Sequence, residues 1–191
     1  MSLLASLYDK VLVWAAHRHA CWFLAALSFS EASFFPVPPD IMLAPMSLAR
    51  RERAWFYAGL TTLASACGGI AGYFIGLLAF DFVAPLIDSA GYWPAYLEVK
   101  QWFERWGFWA VFAAGFTPIP YKVFTITAGA VSMAFIPFVM ASIIGRGARF
   151  FLVTALIYFG GERMDRFLRR YIDRVGWLLL FILIGGYFLL R

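Results

Sequence analysis

Apolar positions along this chain come in runs longer than the core helices of a water-soluble domain need. Ala54 to Phe80 holds 27 residues without a charge and Val123 to Gly145 holds 23. About 20 helical residues cross a hydrocarbon core, so either run is long enough to span one. Two other apolar stretches are broken by proline. Ala20 to Phe35, whose only charge is Glu31, runs into Pro36-Val37-Pro38-Pro39-Asp40, and the next apolar run, Ile41 to Ala49, stops at Arg50-Arg51-Glu52-Arg53. That short run spans about 13 Å as a helix, half a bilayer. The pattern restarts at Trp106, reaches Phe116-Thr117-Pro118-Ile119-Pro120-Tyr121-Lys122 and continues to Ser132. Proline cannot continue a helix, and backbone groups freed at membrane depth must be buried in protein or face a wet cavity. The pattern predicts two re-entrant helical hairpins, 20–50 and 106–132, each followed by a transmembrane helix, 54–80 and 135–161.

The two broken stretches resemble each other. Superimposing Pro36 on Pro118, an offset of 82, places Phe34 on Phe116, Pro38 on Pro120 and Asp40 on Lys122. The prolines Pro36, Pro38, Pro39, Pro118 and Pro120 thus mark equivalent hairpin breaks. If the first hairpin enters from the cytoplasm, one intervening span forces the second to enter from outside, which predicts inverted repeats, an arrangement common in transporters. The fold class expected is an all-α polytopic membrane protein with two such repeats in one membrane domain. An outer connecting segment, 81–105, joins them.

Charge placement supports that topology. Arg50, Arg51 and Arg53 form one basic group, and Arg163, Arg166, Arg169, Arg170 and Arg174 another; 81–105 holds four acids against Lys100 and Arg105. The positive-inside rule puts both Arg groups in the cytoplasm and 81–105 outside. Their first reading is therefore topological, and nucleic acid is not an expected partner. A composition of 63% hydrophobic and 14% charged residues agrees, because it cannot cover a water-facing surface. Ala64, Gly68, Gly72 and Gly76 form a strip of small residues suited to helix packing.

The ends carry weaker signals. Leu3, Leu4, Leu7, Val11 and Trp14 share a helical face, which predicts an interfacial helix rather than a cleaved signal peptide. An amphipathic helix is expected over 162–174, and Val175 to Leu190 reads as a short C-terminal membrane helix. Cys21 and Cys67 have no metal or disulfide spacing, and His17 and His19 fall near the expected interface. No nucleophile elbow, zinc motif or phosphate loop appears, so neither a cofactor, a metal nor an enzymatic activity is expected.

Ionisable residues at membrane depth are functional candidates by default. Five qualify: Glu31, Asp40, Lys122, Arg146 and Arg149. Glu31 points into the first hairpin as a candidate proton-coupling acid. Asp40 opens the returning half-helix, where it fits both an N-cap and a functional role. Lys122 suits no capping role, because a cation is unfavourable at a helix N-terminus; it pairs with Asp40 or Glu31 or holds an anion. Arg146 and Arg149, three apart on one helix, fit either a salt bridge to Glu31 or Asp40 or the recognition of phosphate. Gly145 and Gly147 beside them allow close backbone approach.

These motifs, together with Ala128-Gly129 and Arg146-Gly147-Ala148-Arg149-Phe150, resemble the DedA family, also called the VTT or SNARE-associated-Golgi superfamily, and within it the small bacterial YqaA-like branch. The resemblance covers about residues 20 to 160. It implies hairpins meeting tip to tip and the movement of phospholipid or undecaprenyl phosphate between leaflets, often linked to protons, in a bacterial inner membrane. The family's acidic positions map onto Glu31 and Asp40. Its Arg-Phe-x-Pro-x-x-Arg pattern is altered: Gly115 stands at the first Arg, and Lys122 falls one residue after the second. Membrane lipids with an anionic headgroup are the expected partners, and a homo-oligomer stays open. An ion or small-solute transporter and a non-catalytic assembly factor are the alternatives.

Overall fold

The computed structural model describes residues 19–34, 37–117 and 119–161. The expected N-terminal and C-terminal helices, His17, Pro36 and Pro118 lie outside them. Every regular element among the described residues is a helix. Helix α1 (Ala20–Ser33) and α2 (Asp40–Ala49) flank the first break. A 3-10 turn, Arg51–Arg53, leads into α3 (Ala54–Ser89). Helix α4 (Trp93–Phe116) and α5 (Tyr121–Ala130) flank the second break, and α6 spans Phe135–Gly161.

Helix lengths sort these elements by what they can do in a bilayer. Helices α2 and α5, 10 residues each, rise only about 15 Å and stop far short of a hydrocarbon core of about 30 Å. The segments Arg51–Ser89 and Phe135–Gly161 are long and apolar enough to cross it, and their most apolar windows are only 17% and 33% buried. A soluble core helix would hide such windows. Here Leu78, Phe82 and Phe159 stand bare, at 66%, 80% and 80% exposure, as side chains facing lipid do.

Two boundaries differ from the sequence reading. Helix α3 continues past Phe80 to Ser89. Its stop is Gly91 at φ 73°, where the Tyr92 N–H donates to the Ile87 carbonyl and the Gly91 N–H to that of Asp88. This is a glycine C-cap of the Schellman type, a stronger terminator than the charge at Asp81. Helix α4 fuses the charged stretch near Tyr96 with the apolar arm from Trp106, and Pro94 is harmless in its first turn because that N–H needs no intrahelical partner.

The small-residue strip does pack helices. A Cβ on Gly68 would strike the Phe29 carbonyl of α1, and one on Gly76 the Ile126 carbonyl of α5. Gly129 of α5 meets the Tyr73 carbonyl in return. Such backbone contact suits membrane helices, where close van der Waals packing replaces the hydrophobic drive. The Ser33 hydroxyl lies 2.9 Å from the Gly68 carbonyl and holds α1 on α3. The Tyr73 hydroxyl donates to the Met133 carbonyl at 2.6 Å and ties α3 to the turn before α6.

Helices α3 and α6 run antiparallel. Trp55, near the start of α3, stacks on Phe151 with centroids 6.1 Å apart and touches Tyr158, while Tyr73 lies 4.9 Å from Phe138. Arg51 reaches Gly161 at the end of α6. The first Arg group and the end of α6, from which the sequence runs on into the second Arg group, therefore share one end of the protein.

The order helix, break, short helix, turn, long helix occurs twice. Asp40 to Tyr121, Ala49 to Ala130 and Ala54 to Phe135 are each 81 positions apart. This register is one residue shorter than the proline superposition. It moves the partner of Asp40 from Lys122 to Tyr121.

Candidate functional site

Between the two halves, α6 presents Arg146 and Arg149 on one face. Arg146 is 1% exposed. Its Nε donates to the Ser65 hydroxyl of α3 at 2.6 Å, and a terminal nitrogen donates to the Glu31 carboxylate of α1. Its guanidinium carbon lies 4.9 Å from the Tyr121 ring centroid and 4.8 Å from that of Phe150. Each aromatic face attracts the cation, by as much as about 2 kcal/mol where water is excluded. Arg146 thus has a counter-ion, a neutral acceptor and two π faces. Removing one partner of such a buried ion pair costs about 3–5 kcal/mol, because the other charge stays buried.

Arg149 is held more lightly and joins different elements. One terminal nitrogen donates to Asp40 Oδ2 at 2.7 Å, and the other to the Thr117 carbonyl at 3.1 Å. Asp40 is the first residue after the first break, and Thr117 opens the second. One guanidinium therefore reaches both breaks. Asp40 is only 4% exposed, yet its Oδ1 has no hydrogen-bond partner among the described residues. Its expected role as N-cap is not what the structure shows: Pro39 occupies that position, and Asp40 stands one place into the helix with its carboxylate turned to Arg149. The helix N-terminus still favours its charge.

Of the five sequence candidates, four meet as two ion pairs, Glu31–Arg146 and Asp40–Arg149. Lys122 does not join them. It is half-buried in the first turn of α5 and has no ion-pair partner among the described residues. The expected pairing of Lys122 with Asp40 or Glu31 is absent because both acids are already committed to arginines. Close approach beside the arginines holds at Gly145, whose Cβ would lie 2.6 Å from the Phe112 carbonyl, but at Gly147 only the Thr62 methyl is near, at 3.4 Å.

Residues 35–159 match the VTT domain, about two thirds of the chain. The chain belongs to the VTT-domain, or DedA, family. An uncharacterized protein of Haemophilus influenzae is 44% identical over 191 residues, the whole of both chains. Undecaprenyl phosphate transporter A of Staphylococcus aureus is 32% identical over 92 residues, 45% of each chain. An uncharacterized membrane protein of Mycobacterium leprae is 29% identical over 150 residues, 74% of this chain and 70% of its own. No solved structure matches. The VTT domain match takes in Asp40, Lys122 and both arginines, while Glu31 lies just ahead of its start.

Within this VTT domain the structure adds residues that the sequence did not single out: Ser65, Tyr121, Phe150 and the Thr117 carbonyl. Ser65 had a signal, since Thr61, Thr62 and Ser65 make a polar stripe in the uncharged run of α3, and all three are buried. Tyr121 and Phe150 had none, because an aromatic residue in this chain reads as lipid-facing or core. Gly115 lies against α6: its Cβ would be 3.2 Å from the Arg146 backbone nitrogen. A side chain there would need α6 to give by a few tenths of an ångström.

Proposed function

We propose that this VTT-domain protein carries a lipid or lipid phosphate, phospholipid or undecaprenyl phosphate, between the leaflets of a bacterial inner membrane, coupled to protons and without covalent catalysis. The observation that carries the reading is Arg149, which binds the start of α2 and the end of α4 at once and so brings both helix breaks to one point. Short helices that stop at membrane depth around ion-paired charges are what a transport site at the interface of inverted repeats requires. In this reading the breaks are the tips of two re-entrant hairpins. The helix ends, Lys122 and the arginines attract an anionic headgroup, and the acids Glu31 and Asp40 couple its passage to protons. The similarity to undecaprenyl phosphate transporter A supports the choice of cargo.

Reconstitution into liposomes tests the proposal. The wild-type protein is expected to move a fluorescent lipid phosphate across the bilayer, faster with a proton gradient, and Glu31→Ala and Lys122→Ala are expected to slow it. Unchanged transport in both variants would sink the site assignment. Substrate-dependent current without lipid movement would replace a lipid cargo by an ion or small solute. Accessibility of cysteines placed at positions 40 and 122, probed from each side of the membrane, tests the two hairpins separately.

A further inference from the structure

We infer that the two ion pairs divide the work of the site: Glu31–Arg146 stays closed as the pivot between the halves, and Asp40–Arg149 opens so that Arg149 can hold the anionic headgroup. This rests on the transport reading and assigns parts within it.

Three observations separate the pairs. The first is enclosure. It separates the arginines, not the acids: Arg146 is 1% exposed and lies over two aromatic rings, whereas the Arg149 side chain is 17% exposed with a carboxylate oxygen and a carbonyl as its partners among the described residues. Glu31 is 18% exposed and Asp40 4%. Releasing Arg146 would forfeit a counter-ion, a hydroxyl and two π contacts together. The second is what remains behind. If Arg149 lets go, Asp40 keeps the favourable field of the α2 N-terminus, and its Oδ1 already lacks a partner among the described residues. Glu31 sits late in α1, where the helix dipole opposes its charge, so it has no such reserve.

The third is position. Ser65 and Arg146, which hydrogen-bond each other, stand 81 positions apart, the spacing that separates the starts of α3 and α6. They are counterparts in the two halves. A residue that touches its own counterpart lies beside the axis relating the halves, the place for a contact that both halves share. Arg149 has no such contact. Its partners are the ends of the two breaks, and Lys122 stands across the second break as a further cation with no ion-pair partner among the described residues.

The test separates affinity from turnover in the full-length protein. In liposomes containing increasing mole fractions of a fluorescent phosphatidic acid, Arg149→Gln is expected to raise the half-saturating fraction about tenfold, as loss of a charge-assisted contact does. Ser65→Ala, which loosens Arg146 without removing it, is expected to lower the maximal rate at an unchanged half-saturating fraction. A half-saturating fraction unmoved by Arg149→Gln, or raised as much by Ser65→Ala, would overturn the division. A second measurement needs no transport: thermal unfolding in detergent with dihexanoyl phosphatidic acid, dihexanoyl phosphatidylcholine or inorganic phosphate. Phosphatidic acid is expected to stabilise the wild type and Ser65→Ala but not Arg149→Gln. If that pattern holds without any lipid movement, the transport reading fails and the division stands. If phosphate alone gives the pattern, the division stands and lipid is overturned as the source of the anion. If the wild type moves lipid but none of the three ligands stabilises it, Arg149 does not hold the headgroup and the division falls.

Discussion

The two helix breaks are built alike and end in unlike surroundings. After the first, Pro39 and Asp40 are buried and the acid is bound to Arg149; after the second, Ile119 and Pro120 are exposed and Lys122 is half-buried without an ion-pair partner among the described residues. The opening positions of α2 and α5 are nevertheless both buried, and each reaches an arginine of α6: Asp40 pairs with Arg149, and Tyr121 lies under Arg146. One half spends its charge on holding the protein together. The other leaves a charge available. On the transport reading, this is the asymmetry of a carrier that is closed at one break and accessible at the other.

Deleting a committed charge should cost the most. Glu31→Ala strands Arg146 in a site that admits almost no water, and a loss of about 3–5 kcal/mol in stability is expected. A melt in detergent checks it. Glu31→Gln should recover part of the loss, since an amide oxygen can still accept from Arg146. If Glu31→Ala melts with the wild type, the two halves do not differ in how their charges are used.

The close backbone contact of α3 with α5 gives the next effect. Gly129→Ala would drive a methyl into the Tyr73 carbonyl, and overpacking of that kind costs about 1–3 kcal/mol. Gly147→Ala, facing only the Thr62 methyl at 3.4 Å, should stay near neutral. Parallel melts of the two variants separate a contact that positions α5 from a glycine that the sequence singled out for the same reason without that consequence.

That contrast shows how far the sequence could be read. The long apolar runs, the proline breaks and the small-residue strip each follow from one-dimensional pattern, because lipid and helix geometry constrain every residue in them. The register between the halves did not. Prolines were the visible landmarks, and they suggested an offset of 82, but helix starts obey 81 because α2 begins four residues after Pro36 and α5 three residues after Pro118. That single residue decides whether Asp40 corresponds to Lys122 or to Tyr121. Glu31, Asp40, Arg146 and Arg149 were legible as costly charges, whereas the choice of partners depended on three-dimensional neighbours. The two rings around Arg146 became visible only there.

Lys122 tests the free side of the comparison. With no ion pair to lose among the described residues, Lys122→Gln should change stability by less than about 0.5 kcal/mol, as substitutions away from special contacts do. Transport is the sensitive measurement: it should fall about tenfold, and Lys122→Arg should restore most of it by keeping the cation. A melting point lowered as far as that of Glu31→Ala would instead mean that both breaks use their charges structurally.

The smallest effect lies in the turns that follow the short helices. The first half links α2 to α3 through the 3-10 turn Arg51–Arg53, with no residue in the left-handed region. The second ends α5 in a Schellman motif: the Met133 N–H donates to the Ala128 carbonyl, the Ser132 N–H donates to that of Gly129, and Ser132 has φ 56°. A side chain is disfavoured there, and glycine relieves it. Ser132→Gly should therefore raise stability by a few tenths to about 1 kcal/mol, while Gly91→Ala, at φ 73° in the matching stop of α3, should lower it by a similar amount. Opposite shifts of the melting point would confirm that both stops are set by backbone conformation. Equal shifts would mean that the Tyr73–Met133 hydrogen bond, not the left-handed residue, fixes the turn before α6.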